Sequence, residues 1–151
     1  MNALKFIVIF FLVVMVGIQF IPTNPNQSDV VPDTDFMLVN KVPSKIRGII
    51  EVSCYDCHSN NTKYPWYNKI QPAAWYLESH INEGKSVLNF NEWGTLSDRR
   101  KKSKLKSIKS QIKNGKMPMQ SYTFIHKDAT LSGDDRTYIA KYLQELSSSI
   151  K

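Results

Sequence analysis

Cysteine is almost absent from this chain: 151 residues contain two, Cys54 and Cys57. Histidine is nearly as scarce, with His58, His80 and His126 alone. So small a donor set cannot build a structural zinc site, which needs a further Cys or His pair at ligand spacing. A structural disulfide between thiols three positions apart would close too short a loop to gain much stability. No stretch alternates apolar and polar residues as a half-buried strand does, so the βαβ setting of a thioredoxin-type C-x-x-C is missing too. Internal repeats and low-complexity tracts are also lacking. His80 and His126 have no arginine close by in sequence, which leaves no acid/base pair suited to peroxidase work. Acidic residues are outnumbered, 13 against 20 basic ones, for a net charge of +7.

What is present is concentrated. Both cysteines and one of the three histidines fall in the run Cys54-Tyr55-Asp56-Cys57-His58. Two thiols three positions apart on a helical turn can each add to one vinyl group of a single haem, and an imidazole directly after the second then lies beneath the iron. The run reads as a covalent haem site, with thioethers at Cys54 and Cys57 and His58 as proximal ligand. The expected cofactor is haem c with its iron.

The N-terminus gives an independent indication of compartment. After Lys5, residues 6–21 are apolar except for Gly17 and Gln19, and Pro22 follows. The length lies between a signal-peptide core and a full span of about 20 residues, and no small-x-small cleavage site follows. Residues 1–21 are expected to be an uncleaved signal anchor. Lys5 on the N-terminal flank points to a cytoplasmic N-terminus and an exported remainder. Residues 22–42, punctuated by Pro22, Pro25 and Pro32, read as an extended tether. Residues 43–151 are then one small domain, for which a buried haem would supply apolar surface that so short a chain otherwise lacks. The expected location is the bacterial inner membrane, with the domain facing the periplasm.

Four helices are expected in that domain, and the fold class is all-α. The first starts after Pro43, carries Ile46, Ile49 and Ile50 on one face, and places Cys54 near its C-terminal end. The second covers about residues 72–82, striped by Ala74, Leu77 and Ile81, with Gly84 read as lying just past its end. A third begins near Ser97, which can cap it, and ends before Gly115; Leu105, Ile108 and Ile112 recur at helical spacing. The fourth follows a Ser132–Asp135 capping box and turns Ile139, Tyr142, Leu143 and Leu146 inward.

An iron held by His58 has a second axial position, and its occupant decides between electron transfer and ligand chemistry. Met117, in Gly115-Lys116-Met117-Pro118, is the leading candidate, because Pro118 restricts a loop in which a thioether can face the iron. Met119 is the near alternative. His80, one residue from the inward stripe of the second helix, is the rival that would give bis-histidine ligation. His126 reads as a loop residue, and Met37 lies in the tether and is set aside.

These segments together resemble the haem-binding domain family of small exported bacterial proteins related to class I cytochromes c. The carrying residues are Cys54 to His58 with Ser59 and Asn60, then Thr62-Lys63-Tyr64-Pro65-Trp66-Tyr67, the stretch from Trp75 through His80 to Gly84, Leu88-Asn89-Phe90-Asn91-Glu92-Trp93, and Met117-Pro118 with Tyr122. The resemblance implies a small cytochrome c-like helical fold, with Cys54, Cys57 and His58 as haem residues and Met117 in place of the cytochrome methionine loop. Met119 stands where a second proline often follows Met-Pro, so the choice between the two sulfurs stays open. The aromatic block of Tyr64, Trp66, Tyr67, Trp75, Tyr76, Phe90 and Trp93 is expected to wall the porphyrin from water. Arg99, Arg100, Lys101, Lys102, Lys104, Lys106, Lys109 and Lys113 make a basic helix face able to steer an acidic redox partner or to rest near anionic lipid. A nucleic-acid partner is not expected outside the cytoplasm. The expected function is a membrane-tethered monohaem cytochrome passing single electrons, not an enzyme. A haem sensor with a labile distal ligand is the alternative, and a thiol–disulfide oxidoreductase using Cys54 and Cys57 a weaker third.

Overall fold

The apolar N-terminal run forms one helix, α1 (Asn2–Gly17), continued by a 3₁₀ turn at Ile18–Phe20. The computed structural model describes residues 2–28 and 30–150; Met1 and Lys151, at the ends of the predicted anchor and domain, and Asp29 in the predicted tether lie outside the described residues. The window Ala3–Phe20 holds 18 residues at mean hydropathy 2.5, none of it buried. At about 1.5 Å per residue this reaches roughly 27 Å, near the hydrocarbon thickness of a bilayer. The helix is long and apolar enough to cross a membrane.

The stretch predicted as an extended tether is bonded to the body. Residues 22–28 are extended but bonded to the body: Asn24 N–H donates to Glu78 Oε1 at 3.2 Å, and Thr62 N–H donates to the Asn26 carbonyl at 3.0 Å. The second half enters the core. Asp35 caps a short helix, α2 (Phe36–Val39), by accepting from Met37 N–H at 2.8 Å, and Phe36, Met37 and Val42 are buried. The folded body therefore begins at about Asp35, ahead of the predicted start at Pro43. The apolar run 36–39 is too short to display a period, and the prolines ahead of it drew the boundary too late.

The four predicted helices are present. α3 (Ser44–Ile50) starts directly after Pro43 and buries Ile46 and Ile50; it runs on through a π-helical segment, Glu51–Tyr55, into α4 (Asp56–His58). α5 (Ala73–Val87) buries Ala74 and Ile81, and passes through Gly84 instead of stopping short of it. α6 (Asp98–Lys113) starts at Ser97, yet the Ser97 hydroxyl makes no capping bond; Asp98 pairs instead with Lys101 at 3.8 Å. After a short helix α7 (Gln120–Ile125), α8 (Gly133–Ser149) begins with the predicted capping box, the Ser132 hydroxyl accepting from Asp135 N–H and Asp135 reaching back to Ser132 N–H. Among the described residues there is no strand.

Packing follows the apolar stripes. Leu105 and Ile112 of α6 meet Ile139 and Leu143 of α8, and Arg136 on α8 donates to the Ile112 carbonyl at 2.6 Å, adding a side-chain bond at the C-terminal end of α6. Trp93, fully buried, stands edge-on to Phe36 at 4.9 Å between ring centres. The former tether thus supplies one half of the central aromatic pair.

Candidate functional site

Cys54 lies in the π-helical segment Glu51–Tyr55 and Cys57 and His58 in the turn that follows, so the motif sits where the helix widens. Such local widening changes the angular spacing of side chains and recurs at functional positions. Ser59 then breaks to extended backbone, which ends the helix directly after the imidazole.

The orientation of His58 is set from outside its own helix. Its Nδ1 lies 2.9 Å from the Leu88 carbonyl. A carbonyl can only accept, so Nδ1 carries the proton and Nε2 is left with a free lone pair. An asparagine network holds that carbonyl in place. Asn91 Nδ2 donates to Asp35 Oδ2 at 2.8 Å, Asn60 N–H donates to Asn91 Oδ1 at 2.6 Å, and Asn89 Nδ2 donates to Asn60 Oδ1 at 2.9 Å. The residues flanking His58 and Leu88 are therefore laced to one another. The Phe90 ring adds an edge contact to His58, 6.2 Å between centres, and stacks on Tyr55 at 5.1 Å.

Met117 reaches the same place by a helix stop. α6 ends in a Schellman motif: Lys116 N–H donates to the Gln111 carbonyl at 3.0 Å and Gly115 N–H to the Ile112 carbonyl at 3.1 Å. Gly115 takes φ +66°, which a side chain would resist, and the chain turns back over the end of the helix. This directs Met117 and Pro118 toward the cysteine motif.

Two adjoining lobes form one cleft there. Ser53, Cys54, His58, Val87, Met117 and Pro118 line both. One lobe is lined mainly by apolar side chains, among them Leu88, Phe90, Ile108 and Leu131. The other is edged by polar ones, including Asp56, Glu83 and Tyr122, and also carries Cys57, His80 and Met119. All four predicted site residues therefore border one cleft. Met117 touches both lobes, whereas Met119 and His80 border one. His80 has its Nδ1 on the Tyr76 carbonyl at 2.8 Å within its own helix. His126 does not line the cleft; it stacks on Tyr122 at 4.3 Å and bonds the Tyr67 hydroxyl through Nε2 at 3.0 Å.

The predicted aromatic wall is mostly elsewhere. Of the seven residues named for it, Phe90 alone lines the cleft; Trp93 is core, and Trp66 and Tyr76 are exposed. Aliphatic side chains from α5 and α6 do that work. Tyr122, downstream of Met117-Pro118, has a specific structural role: its hydroxyl donates to Asp56 Oδ2 at 2.6 Å, tying α7 to the motif.

Both thiols border the cleft and are partly buried. Burial pushes Cys54 up to about 12, with the neighbouring Cys57 adding to it, and burial with Asp56 raises Cys57 to about 11. The folded chain without haem thus keeps both as thiols at neutral pH. Because the unfolded chain gives up these protons near pH 9, ionisation draws the equilibrium toward unfolding: stability is full below about pH 9 and falls as pH rises toward 11–12. Iodoacetamide labelling at pH 8 is expected to be about 1,000-fold slower at Cys54 than in an unfolded peptide, ten-fold for each unit of pKa. Equal rates in folded chain and peptide, with circular dichroism confirming helix, would show the thiols to be open to water.

Among the described residues no three His, Cys, Asp or Glu side chains gather into a metal-binding group, so the thiol pair has no further ligands for zinc. A family model described as a haem-binding domain matches residues 13–145. The chain belongs to the haem-binding domain family. No curated protein and no solved structure gave a significant match.

In this haem-binding domain the residues present fit the group. Two thiols, an imidazole with a free Nε2, a thioether and apolar walls converge on one cleft, a soft and aromatic-compatible donor set suited to iron in a tetrapyrrole. Leu88 and the Asn89–Asn91–Asn60 network were not legible in advance. A backbone carbonyl has no side-chain signature, and asparagines in a loop read as turn formers.

Proposed function

We propose that this haem-binding protein is a membrane-tethered monohaem c-type cytochrome that passes single electrons on the periplasmic side of the inner membrane, and is not an enzyme in its own right. What supports the reading most is one observation: His58 presents Nε2 to the cleft that Cys54, Cys57 and Met117 also border. In this reading Cys54 and Cys57 would hold haem c through thioethers, and His58 Nε2 and the Met117 sulfur would bind its iron. When bound, the haem supplies the one-electron couple. The chain's own contribution is orientation and exclusion of water. Leu88 fixes the imidazole, and Val87, Ile108 and Leu131 line the cleft with apolar surface, which disfavours the more charged oxidised state and so raises the potential.

The basic face of α6 supports an acidic redox partner. Among the described residues its lysines and arginines make one ion pair, Lys101 with Asp98, so most of that charge remains to act at a distance. Lys104 also lines the cleft, donating to the Val87 carbonyl, so the basic helix reaches the cleft mouth.

Retention of haem after acid–acetone extraction is the first test, since thioether-bound haem stays with the protein; complete extraction refutes covalent attachment. The second is ligand identity. Met117→Ala is expected to abolish the weak charge-transfer band of a Met-ligated ferric haem. Persistence of the band there and its loss on Met119→Ala would reassign the sulfur. Carbon monoxide binding to the unaltered reduced protein would instead favour a sensor.

A further inference from the structure

The base of the anchor helix is bordered by large apolar side chains that nothing in the fold covers. Phe20 is 82% exposed and Trp66 76%, with Ile21 and Ile70 about half exposed. Large exposed apolar groups that are contiguous mark an interaction surface, whereas scattered ones do not. These are joined through a reciprocal amide contact. Gln19 Nε2 donates to the Gln71 carbonyl at 3.2 Å, Gln71 N–H donates to Gln19 Oε1 at 2.9 Å, and Gln71 Nε2 donates to the Ile21 carbonyl at 3.3 Å. Gln71 itself is buried, so the end of α1 is fixed directly beside Ile70 and the 3₁₀ turn Trp66–Lys69. That turn is bonded to the end of α7. Tyr67 bonds His126, and the two residues before His126 are Phe124, 76% exposed, and Ile125, 58% exposed.

We propose that this surface is a second membrane contact: the haem domain rests on the lipid headgroup layer through Trp66, Ile70, Phe124 and Ile125, around the point where α1 enters the bilayer. The inference rests on the reading of α1 as a membrane anchor. The occupant is the bilayer because the surface is continuous with that helix and carries side chains suited to its boundary. A Trp at this position buries its ring while its N–H meets headgroup water. Lys69 and Lys127 flank the surface, the latter with its ammonium 4.9 Å over the Phe124 ring, and both have stems able to lie along lipid while the charge stays wet. Asp128 beside Lys127 offsets part of this charge, so apolar burial leads and electrostatics follow. α7 carries both surfaces: Tyr122 borders the cleft, while Phe124 and Ile125 turn outward. Seating α7 on lipid brings the cleft close to the membrane surface.

The test uses the full-length haem-loaded protein in nanodiscs of phosphatidylethanolamine and phosphatidylglycerol. Trp66→Cys, Phe124→Cys and, on the basic face, Lys102→Cys are each spin-labelled at the introduced thiol, Cys54 and Cys57 being taken up by haem. Collision with oxygen relative to a water-soluble nickel chelate is expected to be several-fold higher at 66 and 124 than at 102. Equal, water-like ratios at all three positions in protein that co-fractionates with the discs overturn this proposal and leave the anchor standing. Failure to co-fractionate overturns both. Retention of the haem absorption spectrum in each variant shows that the domain is intact.

Discussion

Gly84→Ala is expected to lower both thermal stability and haem content, although alanine is the better helix former by about 1 kcal/mol. The reason is the crossing of α5 over the motif. A Cβ at position 84 would stand 2.6 Å from the Cys57 carbonyl oxygen and 3.3 Å from its carbonyl carbon. The obstructing atoms are backbone, so no rotamer change relieves them. Either α5 moves away or the α4 turn does, and that turn bears Cys57 and His58. Overpacking of this kind costs about 1–3 kcal/mol, enough to outweigh the propensity gain. Asn82→Ala, on the exposed side of the same helix, is the control and is expected to be neutral or slightly stabilising. The measurement is the thermal midpoint and haem-to-protein ratio of each purified protein. A midpoint for Gly84→Ala above that of the parent would mean that α5 and the motif are not in contact.

The second large effect is expected at Asp35. Its carboxylate is buried and accepts from Met37 N–H at 2.8 Å, from the Tyr55 hydroxyl at 3.0 Å and from Asn91 Nδ2 at 2.8 Å. Burial together with the Asp35 charge and hydrogen bond raises the Tyr55 hydroxyl pKa, keeping it a donor. Asp35→Ala strands all three donors. Each orphaned buried group costs about 1–3 kcal/mol, with less than full additivity, so a loss of about 3–5 kcal/mol is expected. That is a large share of the roughly 5–15 kcal/mol that holds a domain together. Tyr55→Phe removes one donor and is expected to cost about 1 kcal/mol. Because Asn91 also holds Asn60 beside the motif, the Asp35→Ala protein should lose haem more readily. Urea midpoints of the three proteins decide the order. A change within about 0.5 kcal/mol for Asp35→Ala, the size of an ordinary surface effect, would show that residue 35 lies outside the folded body.

Asp35 also shows where sequence reasoning ran out. Helices with long stripes and local caps were legible: the Ser132–Asp135 box and the stripes of α6 and α8 appear as read. Those signals are short-range and periodic. The helix containing Phe36 and Met37 is one turn long, so it has no period to detect, and its capping aspartate looks like a loop residue until its partners at 55 and 91 arrive. Gly84 misled for a related reason. A glycine in a helical pattern marks either a stop or a close approach, and only the neighbour at Cys57 distinguishes them. The donor set of the site was legible because its chemistry is local in sequence for Cys54, Cys57 and His58. Convergence of Met117 on the same cleft depends on the Schellman turn, for which Gly115 was the visible sign. The aromatic wall failed because hydrophobicity predicts burial without predicting which cavity a ring faces.

The extended segment ahead of the core also constrains the order of events during synthesis. Asn26 donates through Nδ2 to the Ser59 carbonyl at 2.8 Å and to Thr62 Oγ1 at 2.9 Å, accepts from Lys85, and gives its backbone N–H to the Tyr64 hydroxyl at 2.6 Å. Every one of these partners lies 33 to 59 positions later in the chain. The segment made first must therefore wait for residues that emerge long after it, and it can latch only once the loop behind His58 exists. Until Lys85 arrives the latch behind the Cys54–His58 turn is incomplete, so that side of the site closes only after α5 has been made.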